Sequence, residues 1–275
     1  MALSLRILPR SLRVPLGLAY LLARASDTIA DSGAMETGER IARLEAIVAA
    51  LGTEQIDAPF SGKLPGALSP AEHGLLEAFP CLAALLGESP DRAELTALWR
   101  EILEGQIFDL RRFSPGSAPL DRAELDRYCD LVAGSVGRCW TRLIARHAPG
   151  TLLAPVADLL PAASAYGKGL QLLNVLRDRC GDHAMGRRYV AEREVPELLK
   201  LARGWLDAGD LYLSGLHPGR ILMASALPLD LARATLPLVA AVPAGTRAKL
   251  PRSAVRGILI GSLRSLWLPR RADPD

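Results

Sequence analysis

Apolar residues recur at i, i+3, i+4 and i+7 along almost the whole chain, while the polar–apolar alternation of a half-buried strand is nearly absent. Runs such as LGLAYLLARASDTIADS, ERIARLEAIVAAL, RAELTALWREILEGQIFDLRRF and RAELDRYCDLVAGSVGRCWTRLIARH each carry one apolar stripe on a helical repeat. SPDRAEL and PLDRAEL place an aspartate where it can accept from the free amides of a first helical turn. Prolines fall between these runs, where they punctuate helices rather than break them. The reading is an all-α fold: one domain over 1–275, built from roughly eight to ten helices of ordinary length. Ile56–Pro70 is the clearest loop, and FSPGSAPLD at 113–121 the next.

A hydrophobic content of 49% with 23% charged residues excludes both a disordered chain and a polytopic membrane protein. A net charge of +3 argues against nucleic acid as the partner. Cys81, Cys129, Cys139 and Cys180 show no metal-site spacing to each other or to histidine and read as reduced thiols of a cytoplasmic protein. The opening MALSLRILPRSLRVPLGLAYLLARA imitates a signal peptide, but Pro15 interrupts its short apolar run and Arg24 sits inside the apparent cleavage site. No stretch offers the roughly 18 unbroken apolar residues of a spanning helix.

The charge that remains is unevenly placed. YGKGLQLLNVLRDRCGD, 166–182, is a greasy helix that ends in Arg177, Asp178 and Asp182. ARASDTIADSG repeats the device with Arg24, Asp27 and Asp31. Residues four apart share a helix face, so each aspartate pair can act together. Sixteen aspartates in this chain give about one D-x-x-x-D pair by chance, and a third pair, Asp126 and Asp130, does occur. Any one pair is ordinarily a solvated face; it is the matched context of the first and last that sets them apart. Carboxylates on facing helices are the hard oxygen ligands that Mg²⁺ takes together with waters and substrate phosphates. Two such clusters across a helical bundle would hold a diphosphate, with Arg24 and Arg177 as bidentate donors. Ionising its C–O bond leaves a carbocation that water would quench, so the rest of the cavity must be apolar. A greasy helix ending in charge meets both needs.

The blocks LLARASDTIAD, RYCDLVAGSVG and YGKGLQLLNVLRDRCGDHAMGRRYV, in this order and at these intervals, resemble the squalene and phytoene synthases, which join prenyl diphosphates head to head. EILEGQIFDLRRF is similar to the family's helix between the first two blocks, and the likeness runs from about Leu5 to Leu266. The resemblance implies an isoprenoid synthase-type bundle around a central apolar cavity, with Mg²⁺ on Asp27, Asp31, Asp178 and Asp182. Arg24 and Arg177 would grip diphosphate. Gln171 and Asn174 would supply an amide pair on the pocket side, and Val132 and Gly134 room for prenyl tails. Tyr128 would stand near the reacting carbons, unless it is an ordinary core tyrosine. Lys168, Arg187, Arg188 and Tyr189 would sit at the pocket mouth or on solvated surface.

Among members, AYLLARASDTIAD and GKGLQLLNVLRD look most like bacterial squalene synthases, implying two farnesyl diphosphates, presqualene diphosphate as intermediate and NADPH as reductant. TRAKLPRSAVR is similar to the family's late basic region and nominates Lys249 and Arg252 for NADPH; no G-x-G-x-x-G signature is present. Condensation without reduction, to presqualene diphosphate, dehydrosqualene or phytoene, stays open, as does a non-catalytic binding relative. Three departures stand against the pattern. The usual Ser-Arg-Ser-Phe-like opening block is not found, Ala30 replaces a glutamate common in eukaryotic first motifs, and Ala191 replaces a proline. No obligate protein partner is expected. The last helix, 254–275 with its basic tail, sets Val255, Leu259, Leu263 and Leu266 on one side among Arg252, Arg256 and Arg264. It reads either as packed on the body or as docked on the inner face of an anionic membrane.

Overall fold

A computed structural model describes residues 2–33, 35–51, 68–114, 116–242 and 246–270. Twelve α-helices occur among them: α1 (Ala2–Ile7), α2 (Arg10–Ala30), α3 (Thr37–Ala50), α4 (Pro70–Glu77), α5 (Phe79–Glu88), α6 (Arg92–Arg112), α7 (Arg122–Cys129), α8 (Ser135–His147), α9 (Val156–Ala184), α10 (Val195–Ser214), α11 (Arg220–Ala241) and α12 (Arg252–Ser262). No strand is present among the described residues, only an isolated bridge between Leu152 and Leu216. The all-α expectation holds, with more helices than expected because short pieces such as α1 and α4 stand alone. Most of the Ile56–Pro70 loop, Pro115 of the next loop and the tail from 271 lie outside the described residues.

The chain divides into two compact units, Val14–Ser114 and the remainder, Met1–Arg13 with Pro115–Asp275. In the first, α6 packs on α3 and α5. Its buried Leu95, Leu98, Trp99, Ile102 and Leu103 recur at the spacing of one helical face. The N-terminus of α4 is fixed by a capping box, in which the Ser69 hydroxyl accepts from the Glu72 amide and the Glu72 carboxylate from that of Ser69.

In the second unit α9 is the organising element. It packs on α7, α8, α10 and α11 and on the π-helical turn Asp130–Gly134 that joins α7 to α8. That turn interrupts what reads in sequence as one continuous helix. Two close approaches fix the joint: a Cβ on Gly137 would overlap the Ala163 carbonyl, and one on Gly167 the Ala133 carbonyl. Backbone therefore meets backbone where side chains would hold the helices apart.

Four prolines lie inside helices rather than between them: Pro15 in α2, Pro161 in α9, Pro228 and Pro237 in α11. Each deletes one i→i−4 bond, a loss of about 3 kcal/mol in an isolated helix that burial here outweighs. Beside the gap left by Pro228, the Ser225 carbonyl accepts from the Tyr166 hydroxyl at 2.9 Å. Helix α11 alone among the described helices is long and apolar enough to cross a membrane, yet it carries Asp230 and Arg233 and packs on α1, α9, α10 and α12. It is a core helix. The thiols of Cys129 and Cys139 are buried, with burial pushing Cys129 up to about 12, whereas Cys180 is half-buried and Cys81 is exposed.

Candidate active site

In the unit Val14–Ser114, Asp27 lies in the last turn of α2. Arg24, one turn earlier, donates to its Oδ2 at 3.4 Å, and Gln106 Nε2 reaches its Oδ1 from α6. Trp99 Nε1, also on α6, donates to Ser26 Oγ at 3.2 Å, so two neighbours on α2 are pinned by one helix. Burial pushes the Asp27 carboxyl above the usual range; Gln106 and Arg24 pull it down, and Asp31 adds to the rise. Asp31 follows the helix end and is exposed, its amide still bonded to the Asp27 carbonyl at 2.8 Å. Arg40 Nη1 closes the end of α2 on the Ala30 carbonyl at 2.9 Å, a cation on the negative end of the helix.

In the other unit a cavity of about 450 Å³ opens along α9. Ala163, Tyr166, Gly167, Leu170, Gln171, Asn174 and Arg177 of α9 face it at helical spacing. Val132, Ala133, Val136, Gly137 and Trp140 of the π turn and α8 form a second wall, and α11 a third through Ala224, Ser225, Pro228 and Leu231. The lining is mostly apolar, with Gln171, Asn174 and Arg177 at successive turns of α9 and the hydroxyl-bearing Ser4, Tyr166, Tyr212, Ser225 and Thr235 elsewhere. The structure thus joins four of the residues named from sequence, Val132, Gln171, Asn174 and Arg177, in one cavity.

Asp178 follows directly. Arg177 Nε donates to its Oδ1 at 3.1 Å and Nη2 to its Oδ2, while Arg247 Nε donates to Oδ1 at 2.7 Å. Burial raises this carboxyl, but the two guanidinium groups outweigh it and hold it below the usual range. Asp182 is half-buried one turn on. The helix closes at Gly186, φ 80°, where the Arg187 amide bonds to the Asp182 carbonyl at 2.8 Å. Neither Arg247 nor Gln106 was named from sequence. Their partners lie 69 and 79 residues away, and no local pattern announces a pairing at that range.

Other expected positions come out differently. Lys168 is not at a pocket mouth: its Nζ pairs with Asp126 at 2.6 Å and lies 4.4 Å from the Trp205 ring centroid. Tyr189 is not on the surface but buried against Tyr128, ring centroids 5.1 Å apart and hydroxyls 3.3 Å apart. Tyr128 is buried in that pair and is not among the residues lining the cavity. Gly134 backs onto Asp130 and Ser164 rather than the cavity. Arg187 is half-buried, and Arg188, Lys249 and Arg252 are exposed. The third aspartate pair is occupied by cations and hydroxyls, Asp126 by Lys168 and Asp130 by Arg138 Nη1 at 2.6 Å and Ser164 Oγ at 2.7 Å. Burial raises Asp130, and these partners bring it below the usual range.

The donor sets suit Mg²⁺. Among the described residues no three His, Cys, Asp or Glu side chains converge as a protein-only metal site. A pair of carboxylates one helical turn apart is what Mg²⁺ uses when water and phosphate complete its shell. At Asp178 a positive charge, the Arg247 guanidinium, already occupies the carboxylate. At Asp27 the nearby charge of Asp31 is one a cation would relieve.

A family model described as squalene/phytoene synthase matches residues 1–196. The chain belongs to the squalene/phytoene synthase family. It is 30% identical over 187 residues to the presqualene diphosphate synthase of Rhodopseudomonas palustris, covering 68% of this chain and 56% of that protein. It is 29% identical over 188 residues to the bifunctional lycopene cyclase/phytoene synthase of Phycomyces blakesleeanus, covering 65% of this chain and 29% of that one. In three dimensions it is similar to TcSQS in complex with a ligand, with a TM-score of 0.78 at 22% identity over 95% of this chain and 82% of the other. That likeness concerns the fold.

Proposed function

We propose that the protein condenses two farnesyl diphosphates head to head, through presqualene diphosphate, to squalene. The observation that carries this reading is the cavity on α9, apolar along most of its length and polar at Gln171, Asn174 and Arg177. Arg24 and Arg177 hold diphosphate oxygens as bidentate donors. Gln171 and Asn174 orient the substrate at the polar end of the cavity. Val132, Ala133, Leu170 and Leu231 surround the prenyl chain and keep water from the cation formed when the diphosphate leaves. Asp27 with Asp31, and Asp178 with Asp182, hold Mg²⁺, which supplies the positive charge that a departing diphosphate requires. Lys249 and Arg252 offer cations for NADPH.

A second reading ends the reaction at presqualene diphosphate. The name of the Rhodopseudomonas relative favours it, as does the exposure of the residues nominated for NADPH. The two separate in one assay: purified protein with farnesyl diphosphate and Mg²⁺, with and without NADPH, analysed by gas chromatography–mass spectrometry alongside the diphosphate fraction. Squalene that appears only with NADPH is the expected product. Presqualene diphosphate regardless of NADPH selects the second reading, and no prenyl product at all overturns both.

A further inference from the structure

The C-terminal element of the unit that contains α9 has apolar side chains on both of its sides. Along α12 and the 3₁₀ turn Leu263–Leu266, Ser262 (1% exposed) and Ser265 (4%) are buried, and Val255, Ile258, Leu259 and Leu266 are half-buried. Facing solvent are Ile260 (62%), Leu263 (43%), Trp267 (74%) and Leu268 (59%). A helix packed on a protein body normally turns its apolar stripe inward. Here only part of the apolar surface turns inward, and polar bonds fasten the element. Ser262 Oγ donates to Asp230 Oδ2 at 3.3 Å, the Gly219 amide donates to the Ser265 carbonyl at 2.8 Å, and Arg270 pairs with Asp230. Of the four residues that the sequence sets on one apolar side, Val255, Leu259 and Leu266 are half-buried and Leu263 is exposed.

The charge around this face has one sign. No acidic residue occurs between Asp230 and Asp273, and Lys249, Arg252, Arg256 and Arg264 are all exposed. Arg256, Ile260 and Leu263 follow one another at spacings of four and three, so cation and apolar side chain share a stripe, and Trp267 and Leu268 follow just beyond the 3₁₀ turn. A second copy of the chain is a poor occupant, because a two-fold contact would set these cations against themselves. An anionic bilayer meets both halves of the stripe: its acyl layer takes Ile260, Leu263 and Leu268, its headgroups take the arginines, and Trp267 suits the boundary between them.

We infer that the exposed face of Arg252–Leu268 docks the protein on an anionic lipid surface. The inference stands on burial and charge and does not depend on which reaction the cavity performs. It has a consequence for that reaction, since α11, to which this face is fastened through Gly219 and Asp230, also lines the cavity.

The test is co-sedimentation of the full chain with vesicles of phosphatidylcholine, alone or mixed with phosphatidylglycerol. Binding to the mixed vesicles and little to the neutral ones is expected. Affinity falls about fivefold for each cation removed in Arg256→Gln and Arg264→Gln. The pair Trp267→Ser with Leu268→Ser weakens it about tenfold by withdrawing apolar area from the bilayer. Because these side chains are exposed, the variants keep their circular dichroism spectra. Equal binding to both vesicle types overturns the inference, and so does wild-type affinity in the Trp267→Ser, Leu268→Ser pair. Concentration-dependent dimers that Trp267→Ser abolishes overturn it by assigning the face to a second copy.

Discussion

Asp27 and Asp178 are chemically the same residue in opposite settings. Asp27 is held above the ordinary carboxylate range by burial and by Asp31, with Gln106 and Arg24 only partly compensating. Its charge therefore opposes folding at neutral pH in the absence of a cation. Because the raised value disfavours the ionised form, a neutral isostere removes a penalty: Asp27→Asn melts at or above the wild-type temperature without Mg²⁺, read by calorimetry. Its turnover falls about a hundredfold or more, as loss of metal-borne charge stabilisation of several kcal/mol requires. Activity near wild type removes Asp27 from the metal site. Asp178 is the reverse case, with Arg177 and Arg247 filling both its oxygens. Metal entry has to displace one of them. Arg247 is mostly exposed and belongs to the extended stretch before α12, so it is the easier to release. Arg247→Gln then binds Mn²⁺, read by electron paramagnetic resonance, about threefold more tightly, in line with the small worth of an exposed ion pair. Unchanged or weaker binding shows that Arg247 does not compete for the site.

At the scale of the element, α9 explains why so much of the cavity could be read in advance. Positions 163, 166, 167, 170, 171, 174 and 177 follow the helical period, and of the α9 residues lining the cavity only Leu173 falls beside that stripe. The flanking helices were harder. Their shape depends on features without a periodic signature: the π turn at Asp130–Gly134, the prolines inside α2, α9 and α11, and carbonyls reached by Gly137 and Gly167. Lys168 is a similar case. Its place in the motif pointed to the pocket mouth, and its partners Asp126 and Trp205 decide otherwise. The glycine joint is open to a direct check. In Gly167→Ala the new methyl meets the Ala133 carbonyl, and both are backbone-anchored, so one helix must move. Overpacking of this kind costs about 2 kcal/mol. For a chain of this size that lowers the melting temperature by about 4–8 °C. An unshifted melting curve means that α9 and the π turn separate without penalty, and the tight joint is not a constraint.

For the whole molecule, the proposed function makes metal and phosphate a linked system, because neither carboxylate pair alone would complete the shell of a hard divalent cation. Each pair supplies two oxygen-bearing side chains, and no third His, Cys, Asp or Glu among the described residues joins them. The missing ligands have to arrive with the substrate. Mg²⁺ by itself is then a weak ligand of the native state, inorganic pyrophosphate without metal meets carboxylates that repel it, and the two together bind as a unit. Linkage converts this into stability: at about a hundred times the dissociation constant a ligand adds about 2.7 kcal/mol. At about 2–4 °C per kcal/mol, the melting temperature rises by about 5–10 °C with Mg²⁺ and pyrophosphate together. Little change is expected with either alone, and chelation by EDTA reverses the rise. Asp178→Asn abolishes it, while the Trp267→Ser, Leu268→Ser pair leaves it intact, since that face lies outside the cavity lining. Stabilisation by pyrophosphate in the presence of EDTA shows instead that cationic side chains bind the anion without metal. The carboxylates would then have a different task.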